Sequence, residues 1–158
     1  LRPHNAQRVV VMGWTPLHTA ARDGDMKRLT RCITGIKWLE PLDVNEQSTQ
    51  GHTPLHMSAA NGHVEVMQFV LNQKGCDVNV QTKLGNTAVH LAALNKKAEA
   101  CKLLINSGAD LKKKNMSGKT AADLCPDDDG KLKAYLFEQT HAEKTGRDDD
   151  EDSEFGEV

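Results

Sequence analysis

Thr15-Pro16-Leu17-His18 returns as Thr53-Pro54-Leu55-His56, again as Thr87-Ala88-Val89-His90, and in altered form as Thr120-Ala121-Ala122-Asp123, at intervals of 38, 34 and 33 residues. A fixed period of this size constrains the fold more than composition does. It marks stacked supersecondary units, each unable to bury its apolar face without a neighbour. A glycine stands two residues before each threonine, at Gly13, Gly51, Gly85 and Gly118. Small residues follow: Ala20-Ala21, Ser58-Ala59-Ala60 and Ala92-Ala93.

A second apolar stretch then appears in each unit, as Val66, Met67, Phe69, Val70 and Leu71 or as Leu103, Leu104 and Ile105, closed by Gly75-Cys76-Asp77-Val78-Asn79 or Gly108-Ala109-Asp110-Leu111. The pattern predicts a short helix, a reversal, a second helix and a turn into the next unit. Threonine caps the first helix, and proline fits its first turn, where a missing N–H costs nothing. Alanines let neighbouring helices approach closely, and glycine after the second helix supplies a left-handed cap.

These residues resemble the ankyrin repeat, most clearly in His56-Met57-Ser58-Ala59-Ala60-Asn61-Gly62-His63-Val64-Glu65-Val66 and in Gly108-Ala109-Asp110. The resemblance covers about residues 10–140. It implies an all-α repeat solenoid of stacked helix-turn-helix units linked by β-hairpin-like turns. The chain then divides into an N-terminal extension (1–9), four repeats (about 10–47, 48–81, 82–114 and 115–140) and an acidic, disordered tail (141–158). The first unit carries five extra residues, placed within 35–42, whose apolar members are expected to fold back over the stack; an exposed Trp38 is the sharper alternative. Where the second unit has Val66 and Phe69, the first has Arg28 and Arg31, which reads as a polar N-terminal cap. The chain opens on Leu1 and is read as a monomer or as part of a larger protein.

His18, His56 and His90 line one edge of such a stack, and imidazole serves both metals and proton transfer. Units about 10 Å apart hold them too far apart for one zinc, whose ligand nitrogens lie at ~2 Å. The resemblance instead implies that each histidine bonds the backbone of the neighbouring turn. The chain has no Gly-rich phosphate loop, no activated nucleophile and no H-E-x-x-H. The reading is therefore non-enzymatic, with no cofactor and no metal. Asp127-Asp128-Asp129 lacks the ligand alternation of a calcium loop and reads as a helix start favoured by the macrodipole. Cys32, Cys76, Cys101 and Cys125 show no metal spacing, so reduced thiols are expected. With no apolar run of ~20 residues and no signal peptide, the expected location is intracellular, in cytoplasm or nucleus.

Charge is split. Residues 141–158 balance at −6, whereas residues 1–140 carry 18 basic and 14 acidic groups. Lysines gather late, at Lys83, Lys96, Lys97, Lys112, Lys113, Lys114 and Lys119. That edge lacks the aromatics that stack on bases, which argues against nucleic acid. The plainer readings of that edge are solvated lysines or a docking site for the chain's own acidic tail. The tail itself reads first as an aid to solubility, with screening of these lysines or binding of a basic partner as alternatives. The end, Phe155-Gly156-Glu157-Val158, has the character of segments captured by strand-addition domains.

Carried over from the resemblance, partner-binding residues surround each repeated motif and line a concave groove. They are Met12, Trp14, Arg22 and Asp23; Thr49, Gln50, His52 and Asn61; Lys83, Leu84, Asn86, Leu94 and Asn95; and Met116, Ser117 and Lys119. Trp14 and Arg22 are residue types frequent at hot spots. Leu71, Asp77, Val78 and Asn79 match the spacing at which asparaginyl hydroxylases act on such repeats, with a structural role for Asn79 as the plainer reading. The chain is thus expected to bind a protein or peptide in the groove. The alternative is an electrostatic binder or chaperone of charged partners, acting through the lysine edge or the tail.

Overall fold

The computed structural model describes residues 13–35 and 41–142. Met12, the 1–9 extension, Trp38 and the segment from residue 143, including Phe155, lie outside the described residues.

Eight helices follow one another among the described residues: α1 (Pro16–Asp23), α2 (Met26–Thr34), α3 (Pro54–Asn61), α4 (Val64–Leu71), α5 (Ala88–Leu94), α6 (Ala98–Asn106), α7 (Ala121–Leu124) and α8 (Gly130–Ala142). The all-α stack expected from the period is what forms. Odd-numbered helices pack in sequence as one row, and α2, α4 and α6 pack as a second. The first row is tight because its facing residues are small: Ala20, Ala21, Ala59, Ala92 and Ala93 are fully buried. Leu17, Leu29, Met67, Leu104 and Leu136 fill the space between the rows.

Each first helix starts the same way. Thr15, Thr53, Thr87 and Thr120 occupy the N-cap with extended backbone, each in a reciprocal capping box with the residue three positions on. Gly24 and Gly62 end α1 and α3 in the left-handed conformation. In the third unit Lys96 stands at the matching position and adopts φ +58°, the one positive φ of a non-glycine among the described residues. Of the glycines after the second helices, Gly108 follows the Ser107 cap of α6 at positive φ as expected. Gly35 instead follows α2 at φ +69° and ψ 168°, outside the left-handed helical region, and Gly75, also at positive φ, stands three residues past the Asn72 cap of α4.

Between repeats the chain reverses in tight hairpin-like turns. Ser48, Thr82 and Asn115 donate their main-chain N–H to the carbonyls of His52, Asn86 and Lys119 at 2.8, 2.9 and 2.9 Å. The turns also join one another: Lys83 N–H donates to Gln50 O and Met116 N–H to Leu84 O, both at 3.0 Å. Glycine is required at this contact. A Cβ on Gly51 would lie 3.0 Å from Lys83 N, and one on Gly85 would lie 2.9 Å from Met116 N.

Leu42 N–H donates to Cys32 O at 2.9 Å and its side chain packs on the core, which anchors the end of the five-residue insertion. Arg28 and Arg31 are exposed where Val66 is buried and Phe69 half-buried. Asp129 caps α8 by accepting from Leu132 N–H at 3.2 Å, while Asp127 pairs with Lys133 and Asp128 with Lys96. Helix α8 continues through Ala142, so His141 and Ala142 are helical although the charge pattern groups them with the tail. His141 Nδ1 lies 2.7 Å from Phe137 O and the two rings stack.

Candidate functional site

The three capping histidines share one geometry. The main-chain N–H of Thr15, Thr53 and Thr87 donates to Nδ1 of His18, His56 and His90 at 3.3, 3.1 and 3.1 Å. Each threonine hydroxyl also lies 2.8 Å from that nitrogen. A nitrogen that accepts from a backbone N–H carries no proton, so the ring's proton sits on Nε2. Nε2 then donates to the carbonyl of His52, Asn86 or Lys119, at 2.7, 3.1 and 3.2 Å respectively. Each ring therefore joins its own helix start to the next turn. Burial lowers the affinity of His56 for a proton, to a pKa of about 4, and lowers that of His90 in the same direction. These are buried, neutral connectors, and no group of three metal-ligating side chains occurs among the described residues.

In the fourth unit Asp123 takes the histidine position. Its Oδ2 accepts from Thr120 N–H at 2.9 Å and from the hydroxyl at 2.8 Å, which holds the carboxyl below the usual range. A carboxylate reproduces the cap but has no N–H to reach a further turn. No further hairpin-like turn of the repeat-linking kind follows it among the described residues.

The histidines are committed to the stack, and the face formed by the turns and the first helices carries most of the residues expected from the resemblance. Trp14 and Arg22 come together there: the guanidinium carbon lies 5.5 Å from the indole centroid, within cation–π range. Arg22 Nε donates to Asp23 Oδ1 at 2.7 Å, holding that carboxyl below its ordinary value. Two turns along, Leu84 is 65% exposed and Met116 is 77% exposed. Leu94, at the end of α5, is 46% exposed. Thr49, Gln50, Asn61, Lys83, Ser117 and Lys119 are exposed around them.

Three of the groove residues expected from the resemblance are bound into the stack. Asn86 Oδ1 accepts from Asn115 Nδ2 at 3.0 Å, and Asn95 Nδ2 donates to Ala60 O at 2.9 Å. The ring of His52 is half-buried edge-on to His56, centroids 6.0 Å apart, and its Nδ1 is buried without a hydrogen-bond partner among the described residues. Burial lowers its pKa accordingly.

Asn79 bridges two loops: its Nδ2 donates to Gly108 O at 3.4 Å and its Oδ1 accepts from Asp110 N–H at 2.8 Å. Asn45 makes the same bridge one repeat earlier, to Gly75 O at 2.6 Å and from Asp77 N–H at 2.9 Å. Sequence reasoning passed over Asn45, although Asp43-Val44-Asn45 precedes Asp77-Val78-Asn79 by one repeat length. It also passed over His63, whose Nε2 lies 2.8 Å from Arg22 O and so braces the end of α1.

Elsewhere, an open cleft of about 580 Å³ lies where the end of α8 meets the turn after α6, lined by Ile105, Leu111, Lys112, Gln139 and Ala142 among others. It contains none of the expected binding residues. All four cysteines are free thiols. Burial pushes Cys101 up to about 12 and Cys76 up to about 11, and raises Cys32 and Cys125 as well. None is poised as a thiolate nucleophile.

Residues 1–80 and 31–115 match the family model of ankyrin repeats, in three copies. The chain belongs to the ankyrin repeat family. Such repeats are generally protein–protein interaction modules, and as a domain they are typically non-catalytic. Among curated proteins, the chain is similar to ankyrin repeat domain-containing protein SOWAHB from Homo sapiens, 39% identical over 62 residues that cover 39% of this chain and 8% of that protein. Ankyrin repeat domain-containing protein 7 from Homo sapiens is 41% identical over 58 residues, covering 37% of this chain and 21% of that protein. NAD-capped RNA hydrolase NUDT12 from Homo sapiens is 44% identical over 62 residues, covering 39% and 12% respectively. The matched segment thus spans about a fifth or less of each of these relatives. No described helix is long and apolar enough to cross a membrane.

Proposed function

We propose that this chain is a non-enzymatic interaction module that holds a protein or peptide partner against the face formed by its hairpin-like turns and first helices, with Trp14 and Arg22 as anchors at one end. The carrying observation is where its apolar surface lies. Of the four large hydrophobic side chains exposed among the described residues, Leu84, Leu94 and Met116 stand on this one face. A polar stack gains nothing in stability from Leu84 or Met116 left in water, whereas a partner that covers them gains about 25 cal/mol per Å² of apolar area.

The buried, neutral histidines and high-pKa thiols favour this reading over catalysis. The similarity to an RNA hydrolase covers 12% of that protein and carries no activity over. Reduced thiols favour an intracellular location. Arg22→Ala, at an exposed side chain, is expected to cut capture of a partner several-fold at nearly unchanged melting temperature, whereas Trp14→Ala also removes packing on the core and lowers it. Unchanged capture by both variants overturns the anchor assignment.

The electrostatic alternative draws on one observation. The turns at 81–87 and 114–120 contain lysine, and neither they nor the turn at 47–53 contains aspartate or glutamate. A binder of that kind loses its partner steeply as salt rises, whereas groove binding centred on Leu84 and Met116 persists.

A further inference from the structure

Leu84 and Met116 sit at the tips of successive turns, tied by the 3.0 Å bond from Met116 N–H to Leu84 O, and Lys83, Lys114 and Lys119 are exposed around them. Among the described residues, ion pairs engage Lys96, Lys102 and Lys133, but not these three lysines. Of the nearby described carboxylates, only Asp123 acts on a patch lysine, Lys114, and it forms no ion pair with it. Asp123 is held by Thr120, Asp127 by Lys133 and Asp128 by Lys96. The outer side of the last turn is open, since a Cβ on Gly118 would meet nothing within 4 Å, unlike Gly51 and Gly85. The result is an apolar pair ringed by positive charge, on the turn closest in sequence to the chain's acidic segment.

That segment has the matching chemistry. Residues 148–157 hold seven acidic groups, with Phe155 set between Glu154 and Glu157. Reach is sufficient. Phe155 lies 13 residues beyond Ala142, which allows a span of up to about 45 Å. Helix α8 is only about 20 Å long at 1.5 Å per residue. Its start packs on α7, whose N-cap Thr120 directly follows Lys119.

We propose that the chain's own segment 148–157 docks on the Lys83, Leu84, Lys114, Met116 and Lys119 patch, its carboxylates against the lysines and Phe155 against Leu84 and Met116. The segment then acts as an internal occupant that an external partner must displace. This rests on the reading of the turns as the binding surface. It also defines that partner as an acidic peptide carrying an apolar side chain.

The test is zero-length carbodiimide cross-linking of the full chain, as a dilute equal mixture of ¹⁵N-labelled and unlabelled protein, with linked peptides identified by mass spectrometry. The expected result is amide links from Lys83, Lys114 and Lys119 to carboxylates of 148–157. They should join peptides of the same isotope, exceed links from the exposed Lys27, Lys74 and Lys102 several-fold, and fade as salt rises. Phe155→Ala should reduce them several-fold. Links spread evenly over all lysines, or confined to Lys144, four residues before the segment, overturn the proposal. Links between isotopes assign the patch to a second copy and overturn it equally. Links indifferent to Phe155→Ala overturn the apolar contact. Any of these failures leaves intact the separate capture test with the Trp14 and Arg22 variants.

Discussion

His56 donates from Nε2 to the main-chain carbonyl of Asn86 at 3.1 Å, so the side chain that closes the start of α3 also fixes the turn of the next repeat. His18 and His90 do the same for His52 and Lys119. The stack is held together by a ring that must keep one nitrogen bare and the other protonated, which ties its stability to pH.

For His56 the sign follows from its folded pKa of about 4 against an ordinary 6.5. Above about pH 6.5 both states are neutral and this residue adds no pH dependence. As pH falls toward 4, only the unfolded chain takes up the proton, and stability declines by about 3 kcal/mol in total before levelling off. In urea denaturation, the advantage of the wild type over His56→Gln should shrink across that window. A pH-independent difference contradicts the assignment.

Asn79 and Asn45 each donate to one carbonyl and accept from one N–H of the following loop. Asn79→Ala should cost about 1–2 kcal/mol in denaturant unfolding, at about 1 kcal/mol per lost bond. Asn79→Asp keeps the acceptor and loses the donor, so it should fall between. An Asn79→Ala chain as stable as wild type would show that the bridge contributes nothing.

Lys96 holds a left-handed conformation that Gly24 and Gly62 occupy in the two preceding repeats. Its ion pair with Asp128 is exposed and of small value. Lys96→Gly should therefore raise the melting temperature, and Lys96→Ala, which keeps the strained φ and loses the pair, should lower it. The reverse order would mean that the ion pair outweighs the strain.

Thiol chemistry gives a fourth check. With Cys101 near 12 and Cys76 near 11, iodoacetamide at pH 8 should label the native chain slowly, with half-buried Cys76 modified first. All four thiols should label quickly in denaturant. Rapid native labelling of Cys101 would contradict its burial.

What was legible in the sequence was whatever a repeat must copy. Thr53 and His56 serve neighbouring atoms three residues apart, so the motif exposes their partnership, and the period exposes the partner turn. Asn45 escaped because its partners, Gly75 and Asp77, lie in the next loop. The unequal first interval, widened by the insertion, also hid its equivalence to Asn79. The surface was legible by position and less so by side chain. Asn86 and Asn95 sit where groove residues were expected, yet both are tied to neighbouring repeats. Half-burial of His52 depends on how closely the His56 ring packs against it, a distance that no spacing in the chain encodes.

The claim that binding belongs to the turn face is tested most directly by quantitative capture from cell extract. Wild type is compared with an Arg22→Ala/Leu84→Ala/Met116→Ala chain, all three exposed, and with a control substituted at exposed second-helix residues, Lys27→Ala/Glu65→Ala/Lys102→Ala. Partners retained by wild type and control but lost several-fold from the turn-face variant, at matched melting temperatures, are the predicted result. Equal retention by all three, or loss from the control alone, would contradict it.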